Sequence, residues 1–424
     1  MTIRLLSTLV LTAHMLSPVV RSPAVQPSEG TSGPLEGIRV IEAGLLVQGP
    51  QAAALMHDWG ADVVKVELPH FGDQSRWLPV GNGETRSAYF TACNRGKRSV
   101  TVDLRAPEGK SVFFRLAEAA DVVITNFKPG TMEQWGLGYD ELSERNPRLV
   151  YATGSSFGPV GPDAAREGAD LSGQAFGGLI STTGWSEGPP TPVGATVADH
   201  IASQNMVSGI LAALLVRERT GRGQRVDVSL LGGQIWAQAS EITACIMTGS
   251  PAGRANGGNP LIPGVYGIFP TSDGWIGIVG VAGAARTRFF QVIGKPELAE
   301  LFPQLLYTEA DKQRLFPFLR DAFRTRTTDE WCKVLGDAGL RYAPVRDHAE
   351  VLADGGAWEN GYLRSARTAE GEATTVPGSP VRFSRNSTRA DALPPELGQH
   401  TEEVLLEAGY SWEEIARLSE SGAI

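Results

Sequence analysis

The chain reads as an α/β protein, with a Rossmann-like doubly wound large domain followed by a smaller α+β domain. Three observations predict this. Short apolar runs alternate with helical patterns over the first 150 or so residues. Glycine and proline punctuate the boundaries between them. A length of 424 residues is also more than one core usually holds.

Taken in order, Ile38–Glu42 reads as a strand, Pro50–Trp59 as a helix and Ala61–Glu67 as a strand, a βαβ unit whose default crossover is right-handed. The pattern repeats through strand Ser99–Asp103, helix Pro107–Ala120, strand Asp121–Thr125, helix Thr131–Leu137 and strand Leu149–Thr153. Glycine and proline then become dense from Gly154 to Pro192, which predicts a long functional loop region without regular structure. An apolar helix follows over Ala202–Leu215, then strand Val226–Leu230 and a helix to about Thr248. Tyr266–Phe269 and Trp275–Val279 read as a hairpin around Ser272-Asp-Gly274, with helical segments to about Leu340 and two short helices in the tail, Thr401–Gly409 and Trp412–Leu418. The expected division is 1–33 an extension, 34–231 the large domain, 232–360 a linker helix and small domain, and 361–424 a C-terminal segment that returns to the large domain.

Composition excludes several classes. Hydrophobic content of 42% and charged content of 20% are those of a soluble globular chain. A formal charge of −9 argues against nucleic acid as a partner, because phosphate backbones want a basic face. Cys93, Cys245 and Cys332 are odd in number and widely spaced, which reads as buried reduced thiols in a cytoplasmic protein rather than a disulfide frame or a metal knuckle. Residues 1–33 begin like a signal peptide, but His14 and Ser17-Pro18 break the apolar run. It is too short to cross a membrane, so an extension or an early start codon is the expectation.

Four motifs carry candidate chemistry. Gly154-Ser-Ser-Phe-Gly158 fits the hydrolase Gly-x-Ser-x-Gly pattern, yet Pro159 and Pro162 prevent the helix that a nucleophile elbow needs, so Ser156 reads as a turn residue. The first βα turn lacks Gly-x-Gly-x-x-Gly and Pro50 removes a phosphate-facing N–H, which disfavours a dinucleotide site despite Glu67 at the end of the second strand. Asn126-Phe-Lys-Pro-Gly130 opens a helix just past an apolar strand, where α/β sheets receive anionic ligands. Asp199 stands where an extended segment meets a helix N-terminus; its plain reading is a helix cap.

Read together, Pro34–Glu42, Gln48-Gly-Pro50, Gly60–Glu67, Tyr89-Phe90, Asn94–Ser99, Asp121–Gly130, Gly136-Leu-Gly138, Asn146-Pro147, Thr191–His200 and Gly257-Gly258 follow an order and spacing that resembles the family III CoA-transferases (CaiB/BaiF family). The resemblance covers nearly everything after residue 33. It implies that Asp199 is a nucleophilic carboxylate with Asp170 nearby, and that Val47, Gln48, Asn126, Phe127 and Lys128 line a groove for coenzyme A. Asn94, Arg95, Lys97 and Arg98 form a basic loop that could meet the CoA phosphates or be a solvated turn. Gly257 and Gly258 would belong to a lid loop that excludes water. It further implies an acyl-CoA thioester and a carboxylic acid as substrates, no permanently bound cofactor, no metal, no membrane, and a homodimer of two interlocked chains. Leu68, Gln134 and Glu167 depart from the basic side chains of formyl-CoA transferase, so individual phosphate contacts do not carry over. The related α-methylacyl-CoA racemases carry a His where this chain has Ala169, which removes one partner of their acid/base pair. A racemase or isomerase and a non-catalytic CoA-binding relative are the alternatives.

Overall fold

Six parallel strands organise the first half of the protein: β1 (Arg39–Ala43), β2 (Asp62–Glu67), β3 (Arg98–Thr101), β4 (Val122–Thr125), β5 (Val150–Ser155) and β6 (Arg225–Ser229), side by side in the order β3-β2-β1-β4-β5-β6. This computed structural model describes residues 32–81, 84–367, 371, 373–389 and 392–424; residues 1–31 of the expected extension lie outside them. Strand order reverses direction between β1 and β4, where a doubly wound sheet opens a crevice at the carboxyl ends of its strands.

Alternation along each strand feeds two cores, because successive side chains point to opposite faces. Val40, Val63, Val122 and Val150 face one side, against Ala52–Met56 of the helix Gln48–Asp58 and against Met206, Ile210 and Leu214 of the long helix Val197–Thr220. Ile41, Val64 and Val123 face the other, against Val112, Phe113 and Leu116 of the helix Pro107–Glu118. Burial of this many aliphatic side chains, at about 25 cal/mol per Å², is the main force holding both faces.

The smaller domain is an antiparallel sheet, Val265–Pro270 with Trp275–Val281 and a third strand Tyr342–Pro344 that the sequence reading missed. Its core is aromatic: Phe269, Phe289, Phe290, Phe323 and Trp331 are each at most 1% exposed, and the Trp331 indole N–H donates to the Phe323 carbonyl at 2.7 Å. Beyond it the chain forms a hairpin, Leu363–Arg367 with Ala373–Pro377, and then runs onto the large domain. The Trp59 indole donates to Ser379 Oγ, the backbone N–H of His400 donates to the Ser99 carbonyl on the edge strand β3, and Leu405 and Ile415 enter the same core as Val112 and Phe113.

The segment 154–192 corrects the expectation of irregular structure. It contains helices Asp170–Phe176 and Leu179–Thr182. The glycines there include packing residues: a Cβ on Gly173 would sit 2.7 Å from Leu230 Cβ and 2.9 Å from Ala198 Cβ. Most of the segment is irregular, with turn glycines such as Gly158 and Gly161, while Gly173 serves close helix contact. The cysteine expectation is also corrected. All three thiols are free, but only Cys93 is buried; Cys245 and Cys332 are partly exposed.

Candidate active site

A cavity of about 570 Å³ opens at the β1/β4 crevice, and Val47, Gln48, Asn126, Phe127, Lys128 and Asp199 are among the residues that line it. Leu45 to Gln48 come from the loop after β1, Asn126 to Lys128 from the loop after β4, and Ser155 and Ser156 from the end of β5. Carboxyl ends of three strands thus converge on one hollow, and Asp199 reaches it from the first turn of the long helix.

Asp199 is not the cap of that helix. The helix begins at Val197, with Thr196 as its N-cap making no side-chain cap bond. Asp170, from a different helix, supplies the missing acceptor: its Oδ1 takes the N–H of Ala198 at 2.7 Å and of Asp199 at 3.3 Å, while Gln174 Nε2 donates to its Oδ2 at 2.6 Å. Gln174 also accepts the Val193 N–H, which ties the approach segment to the same helix. The Asp199 carboxylate is therefore spared from capping, and among the described residues it accepts no hydrogen bond. Burial, with the neighbouring Asp170 charge second, pushes its pKa up to about 7. A carboxylate that is partly desolvated is a better nucleophile than one in bulk water.

The floor of the cavity is clamped from both sides. Asn126 Oδ1 accepts the Leu45 N–H at 2.7 Å and its Nδ2 donates to the Leu45 carbonyl at 2.8 Å. Gln48 Nε2 reaches the Ser155 carbonyl at 3.3 Å, an approach that Gly154 allows, since a Cβ there would lie 2.2 Å from Gln48 Oε1. The Ser203 hydroxyl lies 2.7 Å from the Gln48 carbonyl oxygen and 2.8 Å from that of Asp199, so it bridges the floor and the Asp199 helix. Leu46 adopts φ +62°, a left-handed conformation that costs an L-residue roughly 1–2 kcal/mol.

The basic loop does not line the cavity. Arg95 is buried and paired through Nη2 and Nε with Asp58 at 2.5 and 3.1 Å. Lys97 is buried too, its Nζ held by Glu42 Oε2, the Pro50 carbonyl and Asn94 Oδ1 at 2.8–2.9 Å. Burial pulls the Lys97 pKa down to about 8. Asn94 itself is buried, donating to the Phe90 carbonyl. Arg98 sits at the amino end of β3, paired with Asp62, Glu403 and Glu407, away from the carboxyl ends where the cavity opens. Asn94, Arg95 and Lys97 are buried internal partners rather than a solvated turn, which composition alone could not reveal.

Gly257 and Gly258 also lie outside the Asp199 cavity. Gly258 lines a separate hollow of about 250 Å³ with Trp185, Asn256 and Lys312, and a Cβ on Gly257 would meet the Trp185 ring at 2.8 Å. Asn256, at φ +50°, joins this loop to the large domain by accepting the Ser186 N–H. Reading the sequence missed a further feature. A mainly apolar hollow of about 260 Å³, lined by Leu68, Phe71, Leu104, Arg105 and Trp135 among others, shares Leu45, Gln74 and Phe127 with the Asp199 cavity. Phe71, 51% exposed at its rim, gives no signal in the sequence. No group of His, Cys, Asp and Glu fit to hold a metal occurs among the described residues.

A doubly wound sheet opens this cavity at its switch point with Asp199 in its lining, and comparison with known proteins gives the class. The pattern of CoA-transferase family III matches residues 35–401, so the chain belongs to that family. It is 31% identical over 403 residues to the succinyl-CoA:glutarate CoA-transferase of Homo sapiens, covering 92% of this chain and 90% of the human one. It is 36% identical over 388 residues to the succinate–glutarate CoA-transferase of Agrobacterium fabrum, covering 88% and 95%. A crystal structure of a CAIB/BAIF family protein from Brucella suis superposes with a TM-score of 0.79 at 31% identity, over 89% of this chain and 100% of that one. The protein is an enzyme of this family, transferring CoA between an acyl-CoA and a carboxylic acid.

Proposed function

We propose that the enzyme moves CoA through covalent intermediates on Asp199. The carboxylate attacks the thioester carbonyl, the C–S bond breaks, and a mixed anhydride forms with release of the CoA thiolate. The thiolate attacks the Asp199 carbonyl and expels the donor acid, leaving an aspartyl-CoA thioester. The acceptor carboxylate attacks that thioester and forms a second anhydride. The returning thiolate then takes the new acyl group and frees Asp199. The observation that carries this reading is a half-buried carboxylate lining the cavity, with a pKa raised to about 7, whose helix is capped by another residue.

Coenzyme A is long, and the two adjoining hollows give it a continuous bed, with pantetheine in the Asp199 cavity and adenosine against Phe71, Leu104 and Arg105. Asp170 acts as the residue that aims the Asp199 turn. The named activities of the human and Agrobacterium relatives make succinyl-CoA with glutarate the first pair to assay. The absence of a His from the described residues lining the Asp199 cavity, with Ala169 among them, supports transfer over α-proton exchange.

The working enzyme is a homodimer of interlocked chains in the cytoplasm. Ile235, Trp236, Ile246 and Met247, on the helices Leu230–Ala237 and Ala239–Thr248 that lead to the small domain, are exposed and await such a partner. Incubation with acyl-CoA followed by hydroxylamine or borohydride should modify the one peptide that contains Asp199. Full activity in Asp199→Ala would overturn the mechanism, and so would deuterium uptake at the α-carbon of a chiral 2-methylacyl-CoA in deuterium oxide.

A further inference from the structure

Behind the cavity floor, outside its lining, lies a set of charges sealed from water. Glu42, Lys65 and Asp73 are each 0% exposed. Lys65 Nζ lies 2.9 Å from Asp73 Oδ2 and 3.2 Å from Glu42, and donates to the Gly44 carbonyl at 3.0 Å. Glu42 Oε1 in turn accepts the Gly44 N–H at 2.7 Å. Asp73 Oδ1 accepts two backbone N–H groups, those of Leu46 at 3.1 Å and Ser75 at 2.8 Å, and Glu67 Oε2 accepts the N–H of Asp73. Buried ionised groups are costly unless fully paired, so such a set persists where it fixes a geometry.

The geometry it fixes is that of Leu46. A branched aliphatic residue resists φ +62°, and Leu46 carries no glycine's freedom to adopt it. Val47 and Gln48 follow at once: the first turn of the helix Gln48–Asp58 is aimed into the cavity by that single left-handed residue. Asn126 holds Leu45 from the cavity side, whereas Asp73 holds Leu46 from behind.

We propose that Asp73 is a positioning residue of the transferase: it accepts the Leu46 N–H while it meets Lys65, keeps Leu46 left-handed, and so sets how tightly the cavity floor receives the CoA thioester. This rests on the reading of the β1/β4 cavity as the CoA bed. Asp73 touches no substrate. Its effect is on the shape of the Gly44–Gln48 loop, and through that on thioester affinity more than on the chemistry at Asp199.

The test is a double-mutant cycle read as acetyl-CoA affinity by titration, in an Asp199→Ala background so that no turnover intervenes. Asp73→Ala should weaken binding about tenfold with Leu46 present, while the protein still melts cooperatively. In a Leu46→Gly background the same change should cost about threefold or less, because glycine takes positive φ about as readily as negative. A purely structural role would lower the melting temperature and leave the affinity of folded protein alone, or cost the same factor in both backgrounds; either result overturns the proposal. If Asp73→Ala does not fold, Asp73→Asn serves in its place, since one amide cannot both accept from Leu46 and face the Lys65 ammonium without repulsion. It should cost about threefold with Leu46 and nothing with glycine, and equal factors again overturn the proposal. Failure of the Asp199→Ala parent to bind acetyl-CoA would overturn the cavity assignment and this inference together, whereas binding that is indifferent to Asp73 overturns this inference alone.

Discussion

At the scale of single residues, Asp199 joins reactivity to instability. Its carboxyl holds a proton up to about pH 7 in the folded protein, against about pH 4 in an unfolded chain. Proton binding therefore favours the folded state, and this contribution is complete below about pH 4 and is lost as the pH rises through about 7. Asp199→Asn should be more stable than the wild type at pH 8–9, on the order of 3 kcal/mol, and nearly equal to it at pH 4, as thermal or denaturant unfolding at the two pH values would measure. If Asp199 attacks the thioester as proposed, the same titration governs turnover, since only the ionised carboxylate is a nucleophile. The pH profile of kcat/KM should fall about tenfold per unit below about pH 7 and level off above it. Asp170→Ala removes the acceptor for two N–H groups at the start of the Asp199 helix; a loss of about 1 kcal/mol of stability is expected, with a larger loss of kcat.

Among elements, one close junction is where Asp170–Phe176, Val197–Thr220 and Leu230–Ala237 meet around Gly173, Ala198, Ala202 and Leu230. Gly173→Ala would force a methyl group to within 2.7 Å of Leu230 Cβ. It should cost about 1–3 kcal/mol and lower activity by shifting Asp199, both readable from melting and kinetics of the same variant. This junction also marks the limit of what the sequence made legible. The six strands and the longer helices Gln48–Asp58, Pro107–Glu118 and Val197–Thr220 were readable, because apolar runs have a period that backbone geometry imposes, whereas the short helices Ala88–Asn94 and Tyr139–Arg145 were not. Asp199 and the Asn126 loop were readable as ends of elements. The burial of Arg95 and Lys97 was not, since a run of basic residues looks the same whether water or Asp58 and Glu42 answers its charge. The helices hidden in 154–192 escaped for a similar reason: a glycine that permits close packing is spelled like a glycine that makes a turn.

For the whole molecule, the tail is the decisive element. Leu405 and Ile415 complete a core of the large domain, and the Trp59 indole depends on Ser379. Truncation after Pro377 should abolish cooperative unfolding and yield aggregated protein, although the small domain keeps its own aromatic core. If the chains interlock as proposed, light scattering should give a dimer mass that persists to nanomolar protein, because linked rings part only by partial unfolding. A reversible monomer–dimer equilibrium under native conditions would contradict that topology.

The return of the tail has a consequence for how the protein is made. Synthesis proceeds from the amino end, at about 5–20 residues per second, and domains generally fold as they emerge. Here the first domain to emerge cannot finish until the segment around His400 to Ile415, far downstream, arrives to cover its edge strand β3 and fill its core. For roughly ten seconds or more the sheet exists with Val100 and its neighbours open on one side, a template for any passing strand. Completion of this domain therefore waits on synthesis of the residues from His400 to Ile415, and not on emergence of its own strands.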